Sequence, residues 1–82
     1  MEFKDKVAIV TGGSEGIGYG ISESLALRGA TVYLVARNLD NLRAAKERIA
    51  EKGGKAEIRK GDITDYKAIT GIIDDVYKNN HR

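Results

Sequence analysis

The stretch from Thr11 to Gly18 reads TGGSEGIG and carries glycines at a GxxxGxG spacing. It follows a short apolar run and opens a helical pattern, which is the context in which glycines let backbone approach a ligand and let a helix pack against a strand. The first amides of a helix lack partners within it, and the helix dipole is positive there. The spacing therefore predicts a cradle for the phosphates of a dinucleotide. The alternative is a loop that uses its glycines only for turning.

Alternating strands and helices must position this cluster. Short runs rich in β-branched residues predict strands at 6–10, 31–36 and 56–61. A helical repeat follows each run, and Asn38 and Asp65 predict the starts of the second and third helices. Gly29 and Gly53 predict the ends of the first and second. The apolar helical positions are Ile17, Ile21 and Leu25, then Leu39, Leu42, Ala45 and Ile49, then Ile69, Ile72, Ile73, Val76 and Tyr77.

The element order predicts the fold class. A β-α-β-α-β-α order with short connections is typical of an α/β fold with a parallel sheet and right-handed crossovers. Together with the glycine cluster it predicts a partial Rossmann fold whose three-stranded sheet has the order 3-2-1.

Composition excludes several classes of protein. The chain has 82 residues, no cysteine and a single histidine, His81, so we predict one small domain without a disulfide or a multi-histidine metal site. The net charge of +2 comes from dispersed basic residues and does not indicate a nucleic-acid partner. No apolar run approaches the ~20 residues of a membrane span, and the charged start MEFKDK is unlike a signal peptide. We therefore expect a cytoplasmic protein with no membrane partner.

The glycine cluster resembles the TGxxxGxG signature of the short-chain dehydrogenase/reductase family. The longer TGGSEGIGYGI and the later RGATVYLVARN are similar to its tropinone-reductase-like branch. This resemblance covers the whole chain and lies in the N-terminal half of the family. It implies an oxidoreductase that moves hydride between a nicotinamide cofactor and a carbonyl or alcohol. It also implies cofactor contacts from the glycines Gly12, Gly16 and Gly18, from Ser14 and Ile17 against the phosphates, and from Thr11 as a brace of the loop.

The end of the second strand favours NADP(H) over NAD(H). NAD enzymes place an acidic residue there for the ribose 2′-hydroxyl, and the aligned residue in this chain is Ala36. The next residue, Arg37, carries a planar cation suited to a 2′-phosphate, and Asn38 can add an amide contact. The alternative for Arg37 is a solvated loop residue.

Glu15 weakens this preference for NADP(H). Many NADP-dependent members of the family have arginine or lysine there, and a carboxylate near a 2′-phosphate would repel it. We count Glu15 among the cofactor-binding residues and hypothesise that it pairs with Arg37 in the free protein.

The stretch GDITD supplies a third candidate contact. By the resemblance, Asp62 binds the adenine amino group and the backbone of Ile63 contacts the ring. The alternative is an aspartate that only turns the chain before the third helix.

The catalytic pair of the family is not found in this sequence. The family uses Y-x-x-x-K, whereas none of the four tyrosines here has a lysine four residues later. Asn79 and Asn80 resemble its NNAG motif but end an amphipathic helix, and His81 is interpreted as a tail residue. We expect residues 1–82 to be the N-terminal dinucleotide-binding half of a Rossmann domain, truncated before strand four and inactive alone. The alternatives are a non-catalytic nucleotide-binding or self-assembling α/β domain and a scaffold without a ligand.

Such a truncation has a structural consequence. In a sheet ordered 3-2-1-4 the first strand is central, and without the fourth strand it becomes an apolar edge. We therefore expect a homo-oligomer that associates through the first strand.

Overall fold

The computed structural model describes residues 3–12 and 14–80 and shows three strands alternating with three helices. The strands are β1 (Val7–Thr11), β2 (Thr31–Ala36) and β3 (Lys55–Lys60), and the helices are α1 (Gly16–Leu27), α2 (Leu39–Glu51) and α3 (Tyr66–Asn79). This confirms the predicted order of elements. The first and third strands differ from their predicted bounds by one residue at each end.

The three strands form one parallel sheet with β2 in the centre. Val10 of β1 lies beside Leu34 of β2, which in turn lies beside Ile58 of β3. The predicted 3-2-1 order and the partial Rossmann fold are thus confirmed. Because the strands are parallel, Thr11, Ala36 and Lys60 end at the same edge of the sheet.

The core lies between the sheet and the first two helices. Val32 and Leu34 of β2 are fully buried there against Leu42 and Ile49 of α2. Successive residues of a strand point to opposite faces, so Tyr33 belongs to the other face. There its hydroxyl accepts a hydrogen bond of 2.7 Å from the side-chain amide of Asn80, directly after α3. The helices that connect the strands, α1 and α2, therefore lie on one face of the sheet, and α3 lies on the other.

The buried side of α1 differs from the predicted apolar stripe. Ile17 and Ile21 of that stripe are 84% and 49% exposed, and only Leu25 packs against the core. The buried residues of α1 are instead Tyr19, Ser22 and Ala26. Small side chains let the helix approach the sheet closely, and the Ser22 hydroxyl is satisfied because it donates to the Gly18 carbonyl at 2.8 Å.

The predicted helix boundaries are confirmed by their hydrogen bonds and dihedral angles. Asn38 Oδ1 accepts from the Asn41 amide at 3.0 Å, and Asp65 Oδ1 accepts from the Ala68 amide at 3.2 Å. Gly29 and Gly53 follow α1 and α2 with φ of 105° and 91°, a conformation that glycine adopts without a Cβ penalty.

The third helix ends where the sequence predicts. Asn79 is its last residue and Asn80 caps it, which confirms that the two asparagines are helix-terminal. The predicted tail residue His81 lies outside the described residues. Within residues 3–12 and 14–80, no helix combines the length and apolar character that a bilayer span requires.

Candidate functional site

A cleft of about 280 Å³ opens at the carboxyl edge of the sheet. Gly12 follows β1, Arg37 follows β2, and Asp62 with Ile63 follows β3, so residues after all three strands line the cleft. The complete lining consists of Gly12, Ala36, Arg37, Gly61, Asp62, Ile63 and Thr64. Four residues predicted from the sequence thus meet in one place, although they are up to 51 residues apart in the chain (Gly12 to Ile63).

The other predicted residues are not among those that line the cleft. Thr11 is the last residue of β1, and Ser14 and Glu15 belong to the following loop. The first three residues of α1 are Gly16, Ile17 and Gly18. Asn38 caps α2. These residues belong to, or directly flank, the two loops that follow β1 and β2.

Backbone conformation between the end of β1 and the first residue of α1 requires glycine at two positions. Gly12 has φ of +68° and Gly16 has φ of +56°, both in the left-handed region. A Cβ built on either residue would have no atom within 4 Å, so the surface there is open. The close approach of a ligand to this backbone is therefore sterically available.

The start of α1 differs from the starts of the other two helices. Asn38 and Asp65 cap α2 and α3 with their side chains, whereas Glu15 at the start of α1 makes no such bond. The first amides of a helix have no intrahelical acceptor, and the dipole makes this end positive. An anionic group is the complementary ligand for such an end.

Arg37 and Asp62 form an ion pair across the cleft. Nη1 of Arg37 lies 3.8 Å from Oδ2 of Asp62, and the Arg37 side chain is 79% exposed. Oδ1 of Asp62 accepts from the Thr64 hydroxyl at 2.7 Å and from the Thr64 amide at 2.9 Å. These two bonds, followed by the Arg37 charge, hold the pKa of Asp62 below its usual value of 3.8. Asp62 is therefore a carboxylate acceptor at neutral pH.

Thr64 is a residue of the cleft that the sequence prediction missed. Its side chain and amide fix the orientation of Asp62. The Asp-x-Thr pattern is a detectable signal, because aspartate commonly accepts from the backbone two residues later.

The hypothesised pair between Glu15 and Arg37 is wrong. Oε1 of Glu15 accepts a hydrogen bond of 2.5 Å from Nδ2 of Asn41, in the first turn of α2. Arg37 pairs with Asp62 instead. The sequence carries no signal for the Asn41 contact, because the partners are 26 residues apart and meet only when β1 and β2 pair.

The described residues contain no group of three or more histidines, cysteines or carboxylates that could hold a metal ion. The polar side chains that line the cleft carry one guanidinium, one carboxylate and one hydroxyl, and the start of α1, outside this lining, adds backbone amides without an intrahelical acceptor. This donor set suits a ligand that carries both phosphate groups and a hydrogen-bonding base.

Comparison with known proteins agrees with this geometry. The short chain dehydrogenase family model matches residues 6–82. The chain is 46% identical over 68 residues to glycine betaine reductase of Emericella nidulans, covering 83% of this chain and 5% of that protein. It is 47% identical over 66 residues to a fatty acyl-CoA reductase of Acinetobacter baylyi, covering 80% of this chain and 22% of that protein. The chain thus spans less than a quarter of the length of these two relatives.

Solved structures show the same arrangement of elements. A metagenomic short-chain oxidoreductase in complex with NADP superposes with a TM-score of 0.95 at 36% identity, over all of this chain and 37% of that one. An NAD⁺-bound xylitol dehydrogenase superposes with a TM-score of 0.91 at 30% identity, over all of this chain and 32% of that one. With a family match over residues 6–82 and this fold, the chain belongs to the short-chain dehydrogenase family.

Proposed function

We propose that this chain binds NADP(H) and that its residues 1–82 are the N-terminal dinucleotide-binding half of a short-chain dehydrogenase/reductase. The observation that carries the proposal is the shared cleft of Arg37 and Asp62 beside Gly12. An open helix start suits the pyrophosphate of an adenine dinucleotide. The cation and the carboxylate at neighbouring strand ends suit its 2′-phosphate and its adenine. The parent enzyme would act on carbonyl or alcohol substrates.

Each predicted residue takes one part of the cofactor in this proposal. The amides at the start of α1 hold the pyrophosphate, Arg37 and Asn38 hold the 2′-phosphate, and Asp62 with the backbone of Ile63 holds adenine. The cradle comprises Thr11, Gly12, Ser14, Glu15, Gly16, Ile17 and Gly18. When bound, the nicotinamide supplies hydride chemistry, and the residues of this chain bind the adenosine and phosphate portion. We therefore propose that the chain alone is inactive.

The choice of NADP(H) depends on the end of β2. Ala36 leaves no acid for a 2′-hydroxyl, and the Arg37 guanidinium is exposed enough to meet a phosphate. Two similar structures contain NADP, and another contains NAD⁺. The residues of this chain therefore favour NADP(H), and a binding comparison tests that preference.

The test titrates ADP-ribose 2′-phosphate and ADP-ribose into the chain by calorimetry. We expect tighter binding of the 2′-phosphate ligand and a loss of about tenfold in Arg37→Ala for that ligand only, because a charge-assisted hydrogen bond is removed. Arg43→Ala is the matched control, since Arg43 is an exposed arginine in α2 that does not line the cleft. Equal affinities that Arg37→Ala leaves unchanged would contradict the NADP(H) proposal.

A second candidate function is self-association through β1. Among the described residues, β1 pairs only with β2, so its other edge carries unpaired backbone groups. Beside that edge lies an apolar groove of about 250 Å³, lined by Val7, Ile9, Ile73, Val76, Tyr77 and Asn80. An unpaired strand next to exposed apolar side chains favours pairing with a second copy of the chain.

Light scattering over a range of concentrations tests this second proposal. We expect dimers or larger species at high concentration and their loss in Ile9→Lys, which places a charge on the groove. Leu27→Lys is the matched control, because Leu27 is 39% exposed and Ile9 is 40% exposed, and Leu27 lies outside the groove. Monomeric behaviour at every concentration would contradict self-association.

A further inference from the structure

Asn41 connects the two loops that border the cleft. Its backbone amide donates to Asn38 Oδ1 at 3.0 Å, and its side-chain amide donates to Glu15 Oε1 at 2.5 Å. Asn38 belongs to the loop after β2, and Glu15 belongs to the loop after β1. One asparagine in the first turn of α2 therefore fixes both loops relative to each other.

The contact matters because of the charges on these loops. Glu15 carries a negative charge in the phosphate cradle, and Arg37 carries a positive charge in the neighbouring loop. An unrestrained Glu15 carboxylate would be attracted to Arg37, would compete with a 2′-phosphate for it, and would repel that phosphate. In the structure the Glu15 carboxylate bonds to a neutral amide and does not line the cleft.

We propose that Asn41 is a positioning residue that sets cofactor preference by holding the Glu15 carboxylate off the Arg37 guanidinium, which pairs with Asp62 instead. The inference rests on the proposed binding of NADP(H). Asn41 itself touches no cofactor, and its effect acts entirely through Glu15. It also explains how a chain with glutamate at this position can still accept a 2′-phosphate.

The test is a double-mutant cycle on ligand selectivity. Asn41→Ala removes the amide donor and leaves the backbone bond to Asn38 in place. We expect affinity for ADP-ribose 2′-phosphate to fall by about threefold, the size of an exposed charge interaction, while affinity for ADP-ribose is unchanged. In the Glu15→Gln background the same substitution leaves both affinities unchanged, because the repelling charge is gone.

Two further measurements separate positioning from a general loss of structure. The threefold loss shrinks as ionic strength rises from about 0.05 M to about 0.5 M, because salt screens the Glu15 charge. Asn79→Ala is the matched control, since Asn79 is an exposed helical asparagine at the far end of α3. In Glu15→Gln, the side-chain amide resonances of Asn41 shift relative to those of the unsubstituted chain, and this measurement needs no Asn41 variant.

The outcomes are distinguishable. A preference for the 2′-phosphate ligand that Asn41→Ala leaves unchanged overturns this inference alone. An equal loss for both ligands, or a selective loss that persists in the Glu15→Gln background, also overturns it, because neither acts through the Glu15 charge. Equal affinity of the unsubstituted chain for both ligands overturns the proposed NADP(H) preference and this inference with it.

Discussion

The Arg37 guanidinium lies 3.8 Å from the Asp62 carboxylate, so the loops after β2 and β3 share an ion pair at the mouth of the cleft. Exposed pairs contribute little to stability, so the importance of this one is the placement of the two groups that we propose to bind the cofactor. Arg37 faces a 2′-phosphate in the proposed complex, and Asp62 faces adenine. The two residues therefore have separable effects on binding.

Replacing Asp62 distinguishes its role from that of Arg37. We expect Asp62→Ala to weaken ADP-ribose and ADP-ribose 2′-phosphate equally, by about tenfold, because both ligands carry the adenine that the carboxylate would bind. Calorimetry with both ligands measures this ratio. A loss restricted to the 2′-phosphate ligand would show that Asp62 acts only by orienting Arg37.

The two hydrogen bonds from Thr64 favour the ionised form of Asp62. We expect Thr64→Val to raise the pKa of Asp62 toward 3.8, because the hydroxyl bond at 2.7 Å is lost while the amide bond remains. Titration of the Asp62 carboxyl carbon by NMR measures the shift. Thr70→Val is the matched control, since the Thr70 hydroxyl donates to Tyr66 in α3. An unchanged Asp62 titration would show that the hydroxyl does not stabilise the charge.

The same shift has a consequence for stability. The folded-state pKa of Asp62 lies below its ordinary value of 3.8, so the ionised form contributes stability above that value. This contribution is lost as the pH falls through the lower folded-state pKa. In Thr64→Val the folded-state pKa lies closer to 3.8, so the contribution is smaller and its loss is complete at a higher pH. Acid unfolding followed by circular dichroism measures the difference.

Gly54 is expected to tolerate no side chain. A Cβ there would lie 2.7 Å from Ile49 Cγ2 and 3.0 Å from Ala26 Cβ, and both neighbours are buried. We expect Gly54→Ala to lower the free energy of unfolding by about 1–3 kcal/mol through overpacking. Gly71→Ala in α3 meets no atom within 4 Å and should raise it by about 0.5–1 kcal/mol. Urea denaturation of the two variants compares them, and equal effects would contradict the packing argument.

Two buried tyrosines are expected to respond in opposite ways to removal of their hydroxyls. Burial and then an interaction with the Glu23 carboxylate raise the pKa of Tyr19, whose buried hydroxyl nevertheless meets no partner among the described residues in full hydrogen-bond geometry. We expect Tyr19→Phe to raise the free energy of unfolding by about 1 kcal/mol. Its ring keeps the contact with the Arg48 guanidinium, 4.4 Å from the ring centroid.

Tyr33→Phe is the matched comparison. The Tyr33 hydroxyl accepts from the Asn80 side-chain amide at 2.7 Å, so its removal should lower the free energy of unfolding by about 1 kcal/mol. Denaturant unfolding measures both variants. A loss of stability in Tyr19→Phe would show that its hydroxyl bonds to Glu23 in solution.

Local sequence signals predicted most of the fold. The caps Asn38 and Asp65 and the terminators Gly29 and Gly53 act on backbone within a few residues, so their effect is readable from the chain. The strand order followed from the alternation of elements together with the glycine cluster, which predicted a partial Rossmann fold. Arg37 and Asp62 met as expected because parallel strands end at one edge.

The missed features depend on tertiary contacts. The four-residue spacing in α1 predicted the helix correctly but predicted the wrong buried side. Ser22 is polar and so was not part of the apolar pattern, yet it is buried because its hydroxyl bonds to the Gly18 carbonyl. The partner of Glu15 was missed because the competition between Arg37 and Asn41 is decided only when two loops meet. The tropinone-reductase-like branch, the bounds of the domain and the cofactor roles stay predictions.

Burial is uneven across the sheet, and this has a consequence for local unfolding. Val32, Tyr33, Leu34 and Val35 of β2 are all buried, whereas β1 is only partly covered and precedes the proposed cradle. We expect amide hydrogens of β2 to exchange slowest with solvent and those of β1 to exchange through frequent opening of that side. A nucleotide at the cradle would bind only the closed form, so its presence would protect β1 more than β2.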